Sequence, residues 1–353
     1  MGRHETALSI LHGGTVIPAI PLVLDENRQF DAAGQRTLIR YYLDAGVGGL
    51  AVAVHTTQFE IRQPQVALFE PVLQVAAQEL DAFEARTGKT LVRVAGVCGE
   101  TAQACGEART ARALGFDAVL LSPGGLAHLT EEQLVVRTRA VAAEMPVIGF
   151  YLQTACGGRR LSAAYWQAVA DTPGVAAIKC ASFDRYQTID LVRGVAASAR
   201  RREVALYTGN DDNIVADLLT PYRFTVDGEA VELRFVGGLL GHWSVWTHSV
   251  VKLYEELRQY QDERPVPQEL LARGVAVTDC NGAFFDVAHG FAGCIPGVHE
   301  VLRRQGLMAG TWCLDPQEAL SEGQAQEISR VYELYPALND DGFVQANLPR
   351  WRA

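Results

Sequence analysis

The sequence predicts an α/β protein built on eight parallel strands, arranged either as a closed (β/α)8 barrel or as an open doubly wound sheet. Eight short runs are almost entirely apolar, as expected of parallel strands that are buried on both faces. Longer segments with helical periodicity alternate with these runs. No Gly-x-Gly-x-x-Gly pattern follows the first run, which argues against a dinucleotide-binding open sheet. The predicted strands are residues 16–22, 49–54, 91–97, 118–121, 147–151, 175–179, 204–207 and 238–241.

Helix-capping residues mark the starts of several helices between these strands. Asp31, Ser162 and Asp184 are predicted N-caps because each precedes a segment with helical periodicity. Thr130 and Gln133 have the spacing of a capping box. These signals support the alternation of strands with helices.

Two stretches depart from the repeating pattern. Residues 222–235 alternate loosely between apolar and polar residues around Asp227-Gly228, which predicts a type I′ β-hairpin inserted before the last strand. After about residue 262 the barrel pattern stops, and further helical segments follow. We therefore expect a barrel over residues 1–262 and a C-terminal helical region over residues 263–353.

Composition and charge exclude several classes of function. The formal net charge is −10 and no basic stripe is present, so neither nucleic acid nor an anionic membrane is expected as a partner. The seven cysteines include no Cys-x-x-Cys pair, which argues against a disulfide framework or a zinc site and indicates a reducing compartment. The first eight residues lack the apolar stretch of a signal peptide, and no apolar run reaches the ~20 residues of a membrane span. We expect a cytoplasmic protein that binds no metal.

Lys179 is the strongest candidate for a reactive group. It ends the apolar run 175–179, and a lysine at the end of a buried strand is unusual. In a barrel the carboxyl ends of the strands form the active-site face. Partial desolvation there favours the neutral amine, which attacks carbonyl carbons. The alternative is a lysine whose ammonium group extends from the strand end into water.

Further polar residues follow other predicted strands. Tyr151 ends the fifth strand, 28 residues before Lys179, so the two side chains can converge in a barrel, where a phenol is a suitable proton carrier. Thr56 and Thr57 follow the second strand, where hydroxyl and N–H groups can hold a carboxylate. Gly209 begins a Gly-Asn-Asp-Asp turn after the seventh strand. Each of these features also has a purely structural explanation. The tyrosine can be packed under the barrel rim, the threonines can cap the following turn, and the Gly-Asn-Asp-Asp segment can form a turn with a helix cap.

Taken in order, these motifs resemble those of the dihydrodipicolinate synthase / N-acetylneuraminate lyase family. The shared features are the Thr-Thr pair, the tyrosine, the lysine in Ile-Lys-x-Ala and the Gly-x-Asp-Asp turn, over roughly residues 10–250. The resemblance implies a (β/α)8 barrel with helices after it, a homo-oligomer that is commonly a tetramer, and no metal or organic cofactor. It also implies that Lys179 forms a Schiff base with a 2-oxo acid and that Tyr151 shuttles protons. Thr56 and Thr57 would bind the substrate carboxylate, with Thr57 assisting the proton relay.

The sequence departs from the family pattern around the site. His55 and Gln58 replace the glycines that flank the threonine pair in the family, and they either contact the substrate or only reshape the turn. The aromatic residue that the family has after the fourth strand is missing, and Gln153 lies where the family reads Asn-x-Pro. These departures predict a proton relay that differs from that of the family, with His128, His242 or Gln153 as candidate replacements.

Three functions are compatible with these residues. The leading one is a Schiff-base lyase, either an aldolase or a dehydratase, that acts through Lys179 on a pyruvate-like 2-oxo acid. His55, Gln153 and Gly209 would then bind substrate together with the threonine pair. The second is a phosphate-ester aldolase or isomerase, because barrels often bind phosphate near the last strands, where a glycine pair occupies 237–238. The third is a non-catalytic barrel that binds a 2-oxo acid for regulation.

Overall fold

Parallel strands close into a barrel in the computed structural model, which describes residues 2–261 and 264–353. The barrel strands and the hairpin that precedes the last of them are β1 (Val16–Pro18), β2 (Gly49–Val52), β3 (Val92–Val97), β4 (Ala118–Leu121), β5 (Val147–Leu152), β6 (Val175–Ala181), β7 (Ala205–Thr208), β8 (Tyr222–Val226), β9 (Glu229–Leu233) and β10 (Phe235–Leu240). The order around the barrel is β1-β10-β7-β6-β5-β4-β3-β2. A bridge between Ala19 and Ala51 joins β1 to β2. The closed (β/α)8 barrel is therefore confirmed over the open sheet.

The strands lie where the apolar runs predicted them, with two differences that matter. β1 ends at Pro18 although the apolar run continues to residue 22, because Pro18 and Pro21 lack the N–H donors that a strand ladder needs. β6 continues past Lys179 to Ala181. Lys179 therefore lies two residues before the end of β6 and not at its last position.

Helices surround the barrel and follow it. Their bounds are α1 (Arg3–Gly13), α2 (Ala32–Ala45), α3 (Phe69–Thr87), α4 (Thr101–Ala113), α5 (Glu131–Ala142), α6 (Ala163–Ala170), α7 (Arg185–Ala197), α8 (Ile214–Leu219), α9 (Thr247–Arg258), α10 (Gln268–Phe284), α11 (Cys294–Arg304), α12 (Gln324–Leu334) and α13 (Asp341–Arg352). The predicted caps are confirmed: Asp31, Ser162 and Asp184 accept backbone N–H bonds at the starts of α2, α6 and α7. Thr130 and Gln133 form the capping box of α5. Among the described helices, none has the length and apolar character that crossing a membrane requires.

A helix that the sequence analysis did not identify, α1, covers the amino-terminal end of the barrel. Leu11 lies in the inner core, and the hydroxyl of Tyr207 donates to its carbonyl oxygen at 2.7 Å. At the start of α1, Arg3 forms an ion pair of 2.6 Å with Asp117, which precedes β4. Helical periodicity in this segment is weak, so the apolar pattern does not predict a helix there. The candidate site lies at the opposite end of the barrel.

The predicted hairpin is confirmed. β8 and β9 pair in antiparallel fashion, with Val226 opposite Glu229. Asp227 and Gly228 between them have φ values of 51° and 82°. Positive φ at both central residues is the requirement of a type I′ turn, which is why the Asp-Gly pair was informative.

The C-terminal helices pack on the barrel and extend its hydrophobic core. Tyr41 of α2 donates to the carboxylate of Asp340, next to α13, at 2.8 Å. Asn281 of α10 donates to the carbonyl oxygen of Asp211, in the turn after β7, at 2.7 Å. The division into residues 1–262 and 263–353 stays a prediction, and its boundary residues lie outside the described part of the chain.

Candidate active site

A small chamber lies at the carboxyl ends of the barrel strands, beside a larger cleft. The chamber has a volume of about 70 Å³ and the cleft of about 470 Å³. Apolar side chains form much of the chamber wall, so polar groups inside it are shielded from water. The polar residues of its lining are His55, Thr56, Gln153, Cys156, Lys179, Asp211 and Cys294.

Lys179 is buried in this chamber. The residue is only 8% exposed, and its Nζ lies 4.5 Å from the centroid of the Phe150 ring. Burial disfavours the ammonium form and lowers the pKa of Lys179, while the negative charge of Asp211 opposes this shift. More neutral amine is therefore present near neutral pH than at an exposed lysine.

Gly209, at the start of the turn after β7, leaves the space that the Lys179 side chain occupies. A Cβ atom at Gly209 would lie 2.4 Å from Cε of Lys179 and 2.8 Å from Cβ of Ala181. The Gly209 N–H donates to the carbonyl oxygen of Cys180 at 2.6 Å, which holds the turn against β6. Gly209 lines the chamber by accommodating the lysine.

Asp211 is a chamber residue that the sequence analysis did not single out. It is 7% exposed, and its Oδ1 accepts the backbone N–H of His242 at 2.8 Å. Burial raises the pKa of Asp211, although the N–H of His242 and the charge of Lys179 act in the opposite direction. The Gly-Asn-Asp-Asp turn could have pointed to this residue, because a turn or a helix cap explains only one of its two carboxylates.

The structure does not bring Tyr151 into the chamber. The ring lies between the barrel and its helices, with its centroid 5.2 Å from that of Trp166. The hydroxyl donates to Oε1 of Gln187 and accepts the Leu161 N–H at 3.2 Å. The prediction that Tyr151 and Lys179 converge is therefore wrong, and Tyr151 is not positioned to carry protons for the amine.

A bulge in β6 explains why the spacing of Tyr151 and Lys179 was misleading. The pairing of β5 with β6 starts at Val147 and then skips Ala176, so β6 contains one extra residue. Without this bulge Tyr151 would lie opposite Lys179, whereas in the structure Phe150 does. Because alternate residues of a strand face opposite sides, the extra residue places Lys179 on the same side of the sheet as Phe150, whereas Tyr151 faces the other side.

The two threonines occupy different environments. Both belong to a short 3-10 helix, His55–Thr57, that follows β2. Thr56 lines the chamber, and its hydroxyl donates to the carbonyl oxygen of Ala19 at 2.6 Å. The hydroxyl of Thr57 donates to the carbonyl oxygen of Ile20 at 2.7 Å and lies behind the chamber wall. The predicted catalytic and binding roles of Thr57 are therefore not supported by its position, because successive side chains of a 3-10 helix point about 120° apart.

His55 and Gln153 both line the chamber. Burial and the charge of Lys179 lower the pKa of His55 to about 4, so its half-buried ring is neutral near pH 7. The ring also makes an edge contact with Phe59, with the centroids 6.0 Å apart. Gln153 lines the adjoining cleft as well, so it can contact both parts of a ligand.

The other two candidate replacements for the relay lie elsewhere. His128 is exposed, and its Nε2 is 3.2 Å from the carboxylate of Glu100. His242 is buried, with its ring stacked on Phe284 outside the chamber wall. Its contribution to the chamber is the backbone N–H that Asp211 accepts, so the histidine side chains at 128 and 242 are not positioned to replace a relay tyrosine.

The C-terminal region completes the chamber wall with Phe285, Phe291 and Cys294. The Phe291 ring makes an edge contact with Phe183, with the centroids 5.8 Å apart, and both rings also line the adjoining cleft. Phe183 and Phe291 have φ values of 50° and 71°. Such values are rare for a phenylalanine, so this aromatic pair is held in place by the packing around it.

The fold and the chamber together identify the class of protein. It is a (β/α)8 barrel with a buried amine at the carboxyl ends of its strands, where barrel enzymes hold their reactive groups. A family model described as the dihydrodipicolinate synthetase family matches residues 13–221, more than half of the chain. The chain therefore belongs to this family, as the motifs predicted. Its members are lyases of the class I aldolase type.

Individual relatives are distant. N-acetylneuraminate lyases of Escherichia coli (strain SMS-3-5 / SECEC) and of Salmonella agona are each 27% identical over 207 residues, which is 58% of this chain. The match spans 65% of each relative, slightly less than two thirds of its length. In structure, a dihydrodipicolinate synthase from Oceanobacillus iheyensis has a TM-score of 0.73 at 16% identity, covering 95% of this chain and all of its own. A prophage protein of the same family from E. coli, in complex with pyruvate, has a TM-score of 0.71 at 16% identity, covering 92% and 98%.

Substitution of Gly209 should disturb Lys179 directly. In Gly209→Ala the added methyl group overlaps the lysine side chain, so we expect the amine to move toward water and its pKa to rise toward the ordinary value of 10.5. Competitive acetylation with acetic anhydride across a pH series, read by peptide mass spectrometry with exposed Lys89 as internal standard, measures this shift.

Gly106→Ala is the matched control, because a Cβ atom there has open space on α4 with its nearest neighbour 3.9 Å away. This variant should leave the titration of Lys179 unchanged. An unaltered titration in Gly209→Ala would contradict the role given to the glycine.

Proposed function

We propose that this protein is a Schiff-base-forming lyase that acts on a pyruvate-like 2-oxo acid through Lys179. The observation that carries the proposal is a buried lysine of lowered pKa in a small chamber at the carboxyl ends of the barrel strands. The chain contains two other lysines, Lys89 and Lys252, and both are exposed. Lys179 is therefore the one amine of the three that has the environment of a nucleophile.

The chemistry follows from the state of the amine. Neutral Lys179 adds to the C2 carbonyl carbon of the 2-oxo acid, and loss of water gives an iminium ion. The iminium group withdraws electrons from C3, so a bond from C3 to hydrogen or carbon breaks and leaves an enamine. Depression of the lysine pKa supplies neutral amine at a pH where a free lysine, with a pKa of about 10.4, is almost fully protonated.

Binding of the substrate carboxylate is assigned to the 3-10 helix after β2. The first two backbone N–H groups of this helix are those of His55 and Thr56. They come before any carbonyl group of the helix that could accept them, so they are free of bonds within the helix. Thr56 and neutral His55 line the chamber beside them. The small chamber suits the three-carbon 2-oxo acid unit, and the larger cleft suits the remainder of a substrate. The pyruvate complex of a structural relative supports a 2-oxo acid as the ligand.

Of the alternatives, a non-catalytic 2-oxo-acid-binding barrel is favoured by one observation, the outward position of Tyr151. A phosphate-ester enzyme has less support. The glycines at 237–238 are explained by packing, since added Cβ atoms would lie 2.5 Å from the Thr15 carbonyl oxygen and 2.4 Å from the Trp243 ring. The proposed imine chemistry requires a small-molecule 2-oxo acid and no metal or organic cofactor. We also propose a cytoplasmic location, because the seven cysteines are free, as is usual in a reducing compartment.

Reductive trapping tests the proposal. Borohydride with pyruvate, or with another member of a 2-oxo acid panel, should add one reduced substrate unit to Lys179 in the wild-type protein. Lys179→Met retains most of the aliphatic stem against Phe150 but has no amine, so it should fold normally and lose both trapping and turnover. Peptide mass spectrometry locates the adduct.

Lys89→Ala is the matched control and should trap as the wild type does. An adduct that persists in Lys179→Met would show that another amine reacts. Absence of any adduct across the panel in the wild-type protein would favour the non-catalytic alternative, and an adduct without turnover of any aldol or hydroxy acid would do the same.

We also propose that the protein is a homo-oligomer, a tetramer or a dimer. Support comes from the family and from the exposed apolar residues Tyr186 and Ile189 on α7, which are 83% and 37% exposed in the single chain. Light scattering at micromolar concentration should give two or four times the chain mass, and the mass of one chain would refute the proposal.

A further inference from the structure

Imine formation requires a proton carrier, and the side chain that the motif predicted for this task is absent from the chamber. The carbonyl oxygen of the substrate must be protonated twice before it leaves as water. Tyr151 is bonded to Gln187 and Leu161 outside the chamber, and the phenyl ring of Phe150 faces the amine in its place. Phenylalanine carries no exchangeable proton, so another chamber residue has to supply it.

We propose that Asp211 is the catalytic acid–base residue that moves protons between Lys179 and the substrate oxygen. This inference rests on the proposed function and adds a residue to it. Asp211 follows β7, the strand that pairs with β6 beside Lys179, and both side chains line the same chamber of about 70 Å³. A ligand atom bound to Nζ of Lys179 is therefore within the same small space as the carboxyl group.

The carboxyl group of Asp211 is held in a fixed orientation. Its Oδ1 accepts the His242 N–H at 2.8 Å, and the Asn281 side chain donates to the Asp211 carbonyl oxygen at 2.7 Å. A Cβ atom at Gly241 would lie 3.5 Å from Oδ2, so the backbone approaches this second oxygen closely. The side chain of Asp211 is thus anchored by the loop after β10, and its backbone carbonyl group is anchored by α10.

The other ionisable groups of the chamber are less suited to donate a proton. His55 has a lowered pKa, so its cationic acid form is scarce near neutrality. Cys156 and Cys294 have raised pKa values and remain thiols, which are weak acids in this setting. The neighbouring carboxylate of Asp212 is exposed and lines the cleft.

Asp211 and Lys179 form a pair that can redistribute one proton. Burial raises the pKa of the carboxyl group and lowers that of the amine, so both shifts bring the neutral pair closer in free energy to the charged one. Transfer of one proton from the ammonium group to the carboxylate produces a neutral amine and a carboxylic acid at unchanged total charge. These are the two forms that the reaction consumes.

Asp211 can serve both stages of imine formation. The Lys179 amine forms a bond to C2 while the carbonyl oxygen takes the proton of Asp211, and the resulting carboxylate removes one proton from the nitrogen to give a neutral carbinolamine. Asp211 then protonates the hydroxyl group, which leaves as water while the nitrogen lone pair forms the C=N bond. The products are the iminium ion, one water molecule and the Asp211 carboxylate.

Asp211→Asn tests this role, because an asparagine oxygen can still accept the His242 N–H but the side chain cannot donate a carboxyl proton. We expect the rate of borohydride trapping with pyruvate to fall about a hundredfold or more, the usual contribution of a general acid–base group. Acetylation of Lys179 by acetic anhydride needs only the neutral amine, so it should stay equal or increase. Asp190→Asn, which removes an exposed carboxylate from α7, is the charge-matched control and should change neither rate.

The sign of the change separates catalysis from electrostatics. The Asp211 charge raises the pKa of Lys179, so its removal increases the neutral amine, and a purely electrostatic role predicts trapping that is unchanged or faster near pH 7. Such a result would overturn the inference while leaving the Schiff base intact. Wild-type protein that is acetylated at Lys179 but traps no 2-oxo acid would instead refute the proposed function.

A measurement on the wild-type protein covers the case in which Asp211→Asn fails to fold. The pair is active when it holds one of its two protons, so the trapping rate should rise with pH as the pair loses its first proton and fall again as it loses the second, which gives a bell-shaped profile. The ionisable groups that face the pair are His55, Cys156, Cys294 and Asp212, from the segments after β2, β5, the start of α11 and the β7 turn. A rate that rises to a plateau without a descending limb below the pKa range of thiols would overturn the role of Asp211.

Discussion

Exclusion of water from one amine is the constraint on which the rest of this structure depends. A buried ammonium group is costly unless it is paired, so the chamber shifts Lys179 toward its neutral form. Two features maintain that environment, the missing side chain of Gly209 and the Phe150 ring against the amine, while the anchored carboxyl group of Asp211 opposes the shift. Gly209 and Asp211 lie in the turn after β7 and Phe150 lies on β5, and the closed barrel brings these strand ends beside Lys179 on β6.

The sequence predicted the barrel well because its signals are local or periodic. Apolar runs, capping residues and the Asp-Gly turn each report on a few neighbouring residues, and the structure follows them. α1 was missed because its periodicity is weak. Within the site, the position of Lys179 along its strand could be inferred from the apolar run, whereas the side of the sheet that it shares with Phe150 and not with Tyr151 depends on the bulge at Ala176, which leaves no mark in the spacing. The chamber role of Asp211 likewise depends on contacts from the loop after β10 and from α10.

The chamber wall extends beyond the part of the chain that the family model matches. The family model matches residues 13–221, and Phe285, Phe291 and Cys294 of the chamber wall lie beyond that region. Asn281, which fixes the turn of Asp211, also lies beyond it. The proposed reactive amine therefore lies in the part of the chain that the family model matches, while the chamber wall is completed by residues outside the matched segment.

We propose that the chamber holds a 2-oxo acid covalently on Lys179, beside Asp211 and the turn after β2. A crystal structure of the protein soaked with pyruvate tests this most directly. We expect continuous density from Nζ of Lys179 to C2, with the carboxylate against the N–H groups of His55 and Thr56 and the Asp211 carboxyl group facing the C2 substituents. Pyruvate bound without a bond to Lys179, or bound covalently with its carboxylate away from the turn after β2, would contradict the account.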